Sequence, residues 1–384
     1  MFTDPLTEAT GLSRLDLSTA YLFGTGASGL LLPRGGLAID RYGPRLTATT
    51  ATVGLALTLL ALSMVGAMSR PMGLVVMSVG FGLIRFCGQG MLTLSSRTMV
   101  SQWFERRRGT VTSAANTVMS FFFSLMPALL LALIKIDGFR TAWRLLALGL
   151  VFVAVTVIFT LFRDSPESVG LAIDGGEPTT PSSGPVVIGT DQDATRAQAV
   201  RDLRFWIITM PVVAMSAVST ALTFHILDLG GELNLSDDRM VAIFVPISLV
   251  SIPVTLLGGW LTDRVSPIWI AASMATFQIA MFLTVSRLNQ PVFYAVAVVA
   301  WGAAQGCYAP LTSAAVPQLF GRRYLGAING LQMSAMVIGS AIGPAMFSFM
   351  KLAFGSYRQA LTTSLAIPAL TLVLASVHVG RLRR

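Results

Sequence analysis

Long apolar runs separated by short polar stretches constrain this chain more than any other feature. A helix needs roughly 20 apolar residues to cross a bilayer core. The bilayer core holds no water, so every backbone N–H in such a run must be satisfied within the segment, which predicts helices. Only 12% of the 384 residues are charged, against about 25% in soluble domains. The sequence therefore predicts an all-α integral membrane protein. The eleven predicted helices are 17–39, 46–68, 72–99, 109–134, 141–162, 203–229, 239–262, 267–287, 291–317, 325–352 and 359–380.

The chain contains two copies of one unit. Gly36–Arg45 reads Gly-Leu-Ala-Ile-Asp-Arg-Tyr-Gly-Pro-Arg between two apolar runs, and Gly259–Arg264 repeats Gly-x-x-x-Asp-Arg between two others. Residues 163–202 are rich in Pro, Gly, Ser, Thr and acidic residues, a composition typical of a linker. We therefore predict an N-terminal bundle of five helices over 1–162, a cytoplasmic linker over 163–202 and a C-terminal bundle of six helices over 203–384.

The odd helix number has two explanations. Under the repeat, the first half lacks a counterpart of residues 203–223. We expect that the chain as given begins one helix late, because a start site lies upstream of Met1. The alternative is a genuine eleven-helix protein.

The basic residues predict the orientation. The larger share of the 27 Lys and Arg residues falls on the side that holds the loop 40–45, and cytoplasmic loops carry such an excess. Both repeats then have the same orientation, which is typical of parallel repeats. Arg greatly outnumbers Lys, which is associated with GC-rich bacterial genomes, so we expect a multi-pass protein of a bacterial inner (cytoplasmic) membrane.

With two helical bundles, a polar central loop and the motif at 36–45, the chain resembles the major facilitator superfamily over nearly its whole length. The resemblance implies a cytoplasmic gate in which Asp40 lies at a helix end and pairs with basic groups when the transporter is open outward. The alternative is a solvated charged turn that only anchors topology. The second copy lacks the later Gly and Arg of the motif. The implied gating residues are Gly36, Asp40, Arg41, Gly43, Arg45, Gly259, Asp263 and Arg264.

Arg85 lies near the centre of a predicted helix, where a charge costs roughly 2.5–3.5 kcal/mol and marks a functional site by default. Arg85 and the following Gln89 lie where the family has a conserved motif in its fourth helix, which implies an arginine facing the central cavity. We expect an anion-binding or proton-coupling group; the alternative is a structural arginine bonded to backbone carbonyls. Arg34 and Arg97 are closer to the cytoplasmic ends, and we expect both to extend to the membrane interface.

Other polar residues within the predicted helices have two possible uses. They can line a cavity, or they can hold membrane helices together, at about 0.6 kcal/mol per hydrogen bond. The residues in question are Gln305, Tyr308, Asn329 and Gln332.

His225, Asp228 and Glu232 lie towards the outer end of the predicted helix 203–229. A histidine and carboxylates at this spacing can relay protons. Alternatively they form the wet rim of the helix, which is the reading we favour.

Within the superfamily, Trp103–Gly109 and Arg163–Leu171 resemble the monocarboxylate-porter and oxalate/formate-antiporter branch, which implies a small organic anion as substrate. Those carriers place an Arg in the eighth helix, and the antiporters add a Lys in the eleventh. Here 240–262 and 325–350 contain no charge, so the anion hypothesis depends mainly on Arg85.

These features predict a secondary transporter that works by alternating access, with its substrate site near mid-membrane. Proton symport of an organic acid is the leading hypothesis. The alternatives are drug or metabolite efflux, and a transporter-like sensor without net flux. The sequence holds no metal cluster or nucleophile motif, so we expect neither an enzyme nor a cofactor. The expected partners are membrane lipid and a small-molecule substrate, with no nucleic acid, and we expect a monomer.

Overall fold

The computed structural model describes residues 3–175 and 193–382. Every regular element in these two ranges is helical. The α-helices are α1 Thr3–Thr10, α2 Arg14–Ser63, α3 Arg70–Leu83, α4 Thr93–Trp103, α5 Arg108–Gly149, α6 Thr156–Leu161, α7 Arg196–Arg201, α8 Leu203–Phe224, α9 Ile226–Glu232, α10 Asp237–Ala242, α11 Phe244–Thr262, α12 Pro267–Thr284, α13 Pro291–Ser313, α14 Ala315–Phe320, α15 Leu325–Phe354, α16 Arg358–Ser364 and α17 Ala366–Leu382.

Two of the longest helices are broken inside. In α2 the break is at Gly43, whose φ of 81° is one that glycine adopts without strain. In α5 it is at Asp137 and Gly138. Helix α2 thus spans two predicted helices, 17–39 and 46–68, which meet at the sharp kink. Helix α5 likewise spans 109–134 and the start of 141–162. Counted by length and apolarity, nine segments of the described residues can cross a membrane.

A π-helix, Ile84–Leu92, joins α3 to α4 and carries Arg85 and Gln89. Such single wide turns are uncommon and occur frequently at functional sites. Side chains four residues apart remain neighbours on one face, so this segment presents both polar groups together. A second π-turn, Leu150–Val155, joins α5 to α6.

Three buried apolar clusters organise the packing. One lies between residues 6 and 147, and the largest lies between residues 199 and 375. The third joins the two parts of the chain, since Leu32 and Ile39 of α2 share it with Met333 of α15. Outside these clusters many large apolar side chains are exposed, among them Phe152, Phe224 and Leu352. An apolar exterior of this extent is what a lipid-embedded bundle requires.

Candidate transport site and gates

The first motif loop meets the start of α15. The Asp40 carboxylate accepts hydrogen bonds from the backbone N–H groups of Gly326, at 2.7 Å, and Ala327, at 2.8 Å. These are the second and third residues of α15, whose own cap residue, Tyr324, makes no side-chain cap bond. The first N–H groups of a helix have no partner within it, and the helix dipole favours a negative charge there. Asp40 therefore caps a helix in the other half of the chain.

The expected partner of Asp40 was wrong in one respect. We predicted pairing with basic groups, but in the described residues no ion pair to Asp40 is found, and both bonds go to backbone amides. The reason is geometric, since the helix start lies directly against α2 and supplies partial positive charge at hydrogen-bond distance.

The second motif loop repeats this arrangement in the opposite direction. Asp263, just after α11, accepts from the N–H groups of Gly109, at 2.6 Å, and Thr110, at 3.1 Å, and from the Thr110 hydroxyl, at 2.8 Å. Gly109 and Thr110 are the second and third residues of α5, whose cap residue Arg107 makes no side-chain cap bond. Each half of the chain thus supplies one carboxylate to a helix start of the other half. We call these two contacts the Asp40 cap and the Asp263 cap.

Glycines allow the helix pairs to approach closely at both caps. A Cβ on Gly36 would overlap the carbonyl group of Gly326, and a Cβ on Gly259 would overlap Ser113 and the carbonyl oxygen of Gly109. Small residues at such crossings let helix backbones come together in membranes. The glycines of the repeated motif therefore serve the inter-half contact as well as the turn.

The remaining motif residues lie beside the caps rather than in them. Arg41 lies over the ring of Tyr42, and Arg264 lies over Trp260 and donates to its carbonyl oxygen. Arg45 donates through its backbone N–H to Asp164 at 2.8 Å. Gly43 turns the chain just before this bond.

Sequence reasoning missed three further carboxylates that cap loops. Besides Asp164, Asp174 accepts from the N–H groups of Glu105 and Arg106. Asp193 accepts from the N–H groups of Arg322 and Arg323. All three lie in the predicted linker 163–202, of which residues 176–192 lie outside the described range. A polar composition alone carries no signal for such contacts.

Arg322 joins the two halves on the same side of the molecule. Its guanidinium donates to the carbonyl oxygen of Gln102 and lies 3.4 Å from the Glu167 carboxylate. Burial raises the pKa of Glu167, but hydrogen bonds from Ser165 and the Glu167 amide together with the Arg322 charge outweigh it and leave that pKa below its ordinary value. Arg322 therefore links the second half of the chain to the first half and to the linker, on the side that holds the two caps.

A cavity of about 560 Å³ lies between the halves, on the far side of the two caps. It reaches Phe224 and Ala345, towards the ends of α8 and α15 remote from the caps. Arg85 and Gln89 line it and are hydrogen-bonded to each other. The guanidinium of Arg85 also lies 5.8 Å from the ring centroid of Tyr21. Of the two readings of Arg85, the structure supports the cavity-facing one.

The described lining contains no carboxylate, so Arg85 gives the cavity a positive charge that no lining acid balances. The lining is otherwise mixed. The hydroxyls of Tyr308 and Ser216 lie 3.0 Å apart, while Met and Val side chains form apolar walls. Among the described residues the lining is Tyr21, Leu22, Thr25, Arg85, Gln89, Met215, Ser216, Ser219, Thr220, Phe224, Gln305, Tyr308, Met333, Met336, Val337, Ser340, Ala341, Pro344 and Ala345.

The four polar candidates of the second half separate into three groups. Gln305 and Tyr308 line the cavity. Gln332 is buried and its amide lies within 3.5 Å of Thr209 and of the Leu311 carbonyl oxygen, so it joins helices of one half. Asn329 is 3% exposed, and neither side-chain polar atom has a partner among the described residues.

The two arginines expected at the interface also differ. Arg34 is exposed. Arg97 is partly exposed, and its guanidinium interacts electrostatically with Tyr308 of α13. We expected it at the membrane interface, but α4 turns this side chain towards α13.

His225 and Asp228 lie at the outer rim. The His225 ring is 3.1 Å from the carbonyl oxygen of Pro344 and 3.7 Å from the Asp228 carboxylate. Glu232 accepts from Lys351 at 2.8 Å. Burial raises the pKa of Glu232, but this bond, with those from Ser356 and the backbone of Tyr357, outweighs burial and lowers that pKa below its ordinary value. The histidine and its carboxylates thus join α8 and α9 to the end of α15.

Comparison with known proteins gives relatives over most of the chain. An uncharacterised 38 kDa protein of Thermoproteus tenax is 28% identical over 360 residues, covering 92% of this chain and 83% of the relative. The oxalate:formate antiporter of Oxalobacter formigenes is 19% identical over 355 residues, covering 90% and 79%. The crystal structure of the human organic anion transporter MFSD10 has the same fold, with a TM-score of 0.65 at 15% identity, over 97% of this chain and 88% of the other.

A family model matches residues 1–344. That match, the all-helical architecture and the apolar segments agree with the resemblance seen in the sequence. The protein is a multi-pass membrane transporter, and the chain belongs to the Major Facilitator Superfamily.

Proposed function

We propose that this protein moves a small organic anion, a carboxylate with an apolar or weakly polar body, across the membrane. The observation that carries the proposal is Arg85, a cation that lines a cavity without a carboxylate in its described lining. A guanidinium binds a carboxylate through two parallel charge-assisted hydrogen bonds. Gln89 and Tyr308 supply further hydrogen-bonding groups, and Met333 and Met336 contact the apolar part. The oxalate:formate antiporter among the relatives supports a substrate of this class.

The two caps support alternating access between the bundles 1–162 and 203–384 about the linker 163–202. Both caps hold helix ends together on the side that the basic residues mark as cytoplasmic, while the cavity extends towards the opposite ends. We infer that the described conformation is closed to the cytoplasm. Opening would break both caps and leave two helix starts uncapped. The free-energy cost of this loss sets the equilibrium between the two states.

We also propose eleven membrane crossings, obtained by dividing α2 at Gly43 and α5 at Gly138.

His225 is our candidate for proton coupling. It follows Phe224 and lies against Pro344, and both of these line the cavity. Histidine is a common proton shuttle, and the position of His225 beside the cavity suits it to couple a proton to the substrate. Uptake by the His225→Gln variant should lose the dependence on pH that the wild type shows, and an unchanged pH profile would exclude His225 as the coupling group.

A thermal-shift screen of the purified protein tests the substrate class. A ligand at 100 times its Kd stabilises the folded state by about 2.7 kcal/mol. We expect at least one of formate, acetate, oxalate and succinate to raise the Tm, and cationic drugs to leave it unchanged. The shift should disappear in Arg85→Gln and be partly retained in Arg85→Lys.

Arg34→Gln provides the matched control, because Arg34 is an exposed arginine outside the cavity lining. It should respond to carboxylates as the wild type does. A carboxylate shift that survives in Arg85→Gln would remove Arg85 from the site. Shifts with cationic drugs alone would favour efflux of cationic compounds.

We also propose that the protein lies in a bacterial inner membrane and is a monomer.

A further inference from the structure

On the cytoplasmic side of the cavity, Arg97 carries a charge that no carboxylate of the described residues balances. No ion pair or hydrogen bond of its guanidinium is found in the described part of the chain. The group that interacts with it is Tyr308, whose hydroxyl lines the cavity. Arg97 is partly exposed. It lies one helical turn before Ser101, which contacts α13 at Ser313, so α4 brings Arg97 towards the end of α13 that carries Tyr308.

Buried polar atoms without partners occur on α4, which carries Arg97, and on α13 and α15, which both contact α4. In the described residues, both polar side-chain atoms of Asn329 and the hydroxyls of Thr98 and Ser313 have no hydrogen-bond partner. Thr98 adjoins Arg97 on α4, and α4 meets α13 where the Ser101 hydroxyl donates to the Ser313 carbonyl oxygen. Most buried polar groups in folded proteins are paired, so unpaired ones on the helices that pack against α4 point to a place for a ligand near Arg97.

The face of α15 that lines the cavity continues down to Asn329. Met333, Met336 and Ser340 line the cavity, and they follow Asn329 at helical spacings of four, seven and eleven residues, which keep one face of a helix. Asn329 is also one turn from Gly326, which the Asp40 cap holds. The same path thus passes from the cavity to Asn329 and ends at the cytoplasmic cap.

Two other arginines, Arg108 and Arg322, show what a structural role looks like. Arg108 donates to the carbonyl oxygens of Phe104, at 2.8 Å, and Ser101, at 3.1 Å. Arg322 donates to the Gln102 carbonyl. Arg97 makes no such bond, so it lacks the contacts that would fix it as a structural arginine.

We propose that Arg97 and Asn329, with the Tyr308 hydroxyl, form a second and inner anion site, closed in this conformation and opened to the cytoplasm when the Asp40 cap breaks. The proposal rests on the proposed carboxylate substrate, which would bind between Arg85 and Tyr308 first and between Arg97 and Asn329 next. Tyr308 belongs to both sites and is the point of transfer. The Asn329 amide supplies the donor that a carboxylate or another small oxyanion accepts.

A cysteine at position 329 tests the inner site without any knowledge of the substrate. In a background of Cys87→Ser and Cys307→Ser, the Asn329→Cys thiol is reacted with an anionic and a cationic methanethiosulfonate. Both rates are corrected by those of a free thiol. We expect the anionic reagent to react at least tenfold faster, and expect Asp40→Asn to accelerate both reactions by opening the cap.

Adding Arg97→Gln should lower the anion-to-cation rate ratio at least tenfold, while Arg97→Lys should preserve it. Ser340→Cys in the outer cavity is the matched control, and its ratio should not change with Arg97→Gln. Two results would overturn the inner site. One is an anion-to-cation rate ratio at position 329 that does not change with Arg97→Gln, and the other is a thiol that stays unreactive in the Asp40→Asn variant. The readout involves no carboxylate, so an Arg97-dependent ratio without any carboxylate-induced Tm shift would refute the proposed substrate and leave the inner anion site standing.

Discussion

Removal of the Asp40 carboxylate should shift the protein towards the state that is open to the cytoplasm. Asp40→Ala leaves the N–H groups of Gly326 and Ala327 without an acceptor at the start of α15. Loss of a helix cap costs about 0.5–2 kcal/mol, and loss of the charge–dipole interaction costs about 0.3–1 kcal/mol. A combined cost near 1.4 kcal/mol changes the ratio of the two states about tenfold. Asp40→Asn keeps an acceptor oxygen, so its effect should be about two- to fivefold.

Distances between spin labels measure this population directly. Labels at Tyr42→Cys, on an exposed side chain of α2, and at the exposed Arg323→Cys span the contact, with both native cysteines replaced by serine. The short-distance population should fall in the order wild type, Asp40→Asn, Asp40→Ala. Asp164→Ala is the matched control, because it removes the linker carboxylate that accepts from the Arg45 N–H, a contact that does not join the two halves, and it should leave the distances unchanged. An unchanged population in Asp40→Ala, or an equal change in Asp164→Ala, would refute the reasoning.

Three further predictions concern the Asp263 cap, the motif glycine Gly36 and the Glu232 ion pair. Asp263→Ala should shift the same equilibrium about tenfold, and its free energy should add to that of the first cap, because the two caps are separate contacts; a double variant no different from either single one would contradict this. Gly36→Ala should depopulate the closed state by a further steric cost of about 1–3 kcal/mol, whereas Gly149→Ala, with open space around its Cβ, should leave the spin-label distances unchanged. Glu232→Gln should lower the free energy of unfolding at pH 7 by about 1 kcal/mol, a value discounted for partial exposure, because a neutral amide no longer forms an ion pair with Lys351. Because the pKa of Glu232 is lowered in the folded state, that difference should vanish as the pH falls through the folded-state pKa, and a constant difference from pH 7 to pH 3 would contradict this assignment.

The sequence predicted an all-helical membrane protein and its family, because long apolar runs allow few structures in a bilayer. It also singled out Arg85, since a charge at mid-membrane is costly, and Arg85 lines the cavity. The internal repeat pointed to Asp40 and Asp263 together. What the repeat could not show was their partner, because a helix start offers backbone amides and leaves no mark in the side-chain sequence.

The same limit applies to the cavity and the linker. Gln305 and Gln332 are both glutamines on apolar helices, and only packing places the first in the cavity and the second against Leu311. Arg97 was expected at the membrane interface because it lies close to the cytoplasmic end of its predicted helix. The rotation of α4 about its axis instead turns the side chain towards Tyr308. Asp174 and Asp193 lie in the linker 163–202, where apolar residues do not recur at regular spacings. The sequence pattern therefore could not predict the hydrogen bonds that they accept.

Uptake into proteoliposomes tests the central claim, that Arg85 binds a carboxylate that the protein transports, most directly. Radiolabelled formate, acetate, oxalate and succinate would be offered at an inward gradient to vesicles that contain the wild type, Arg85→Gln or Arg34→Gln. The account predicts saturable uptake of at least one of these anions by the wild type and Arg34→Gln, and at least a tenfold loss in Arg85→Gln. Equal uptake by Arg85→Gln, or no uptake of any carboxylate by protein whose fold is verified, would contradict it.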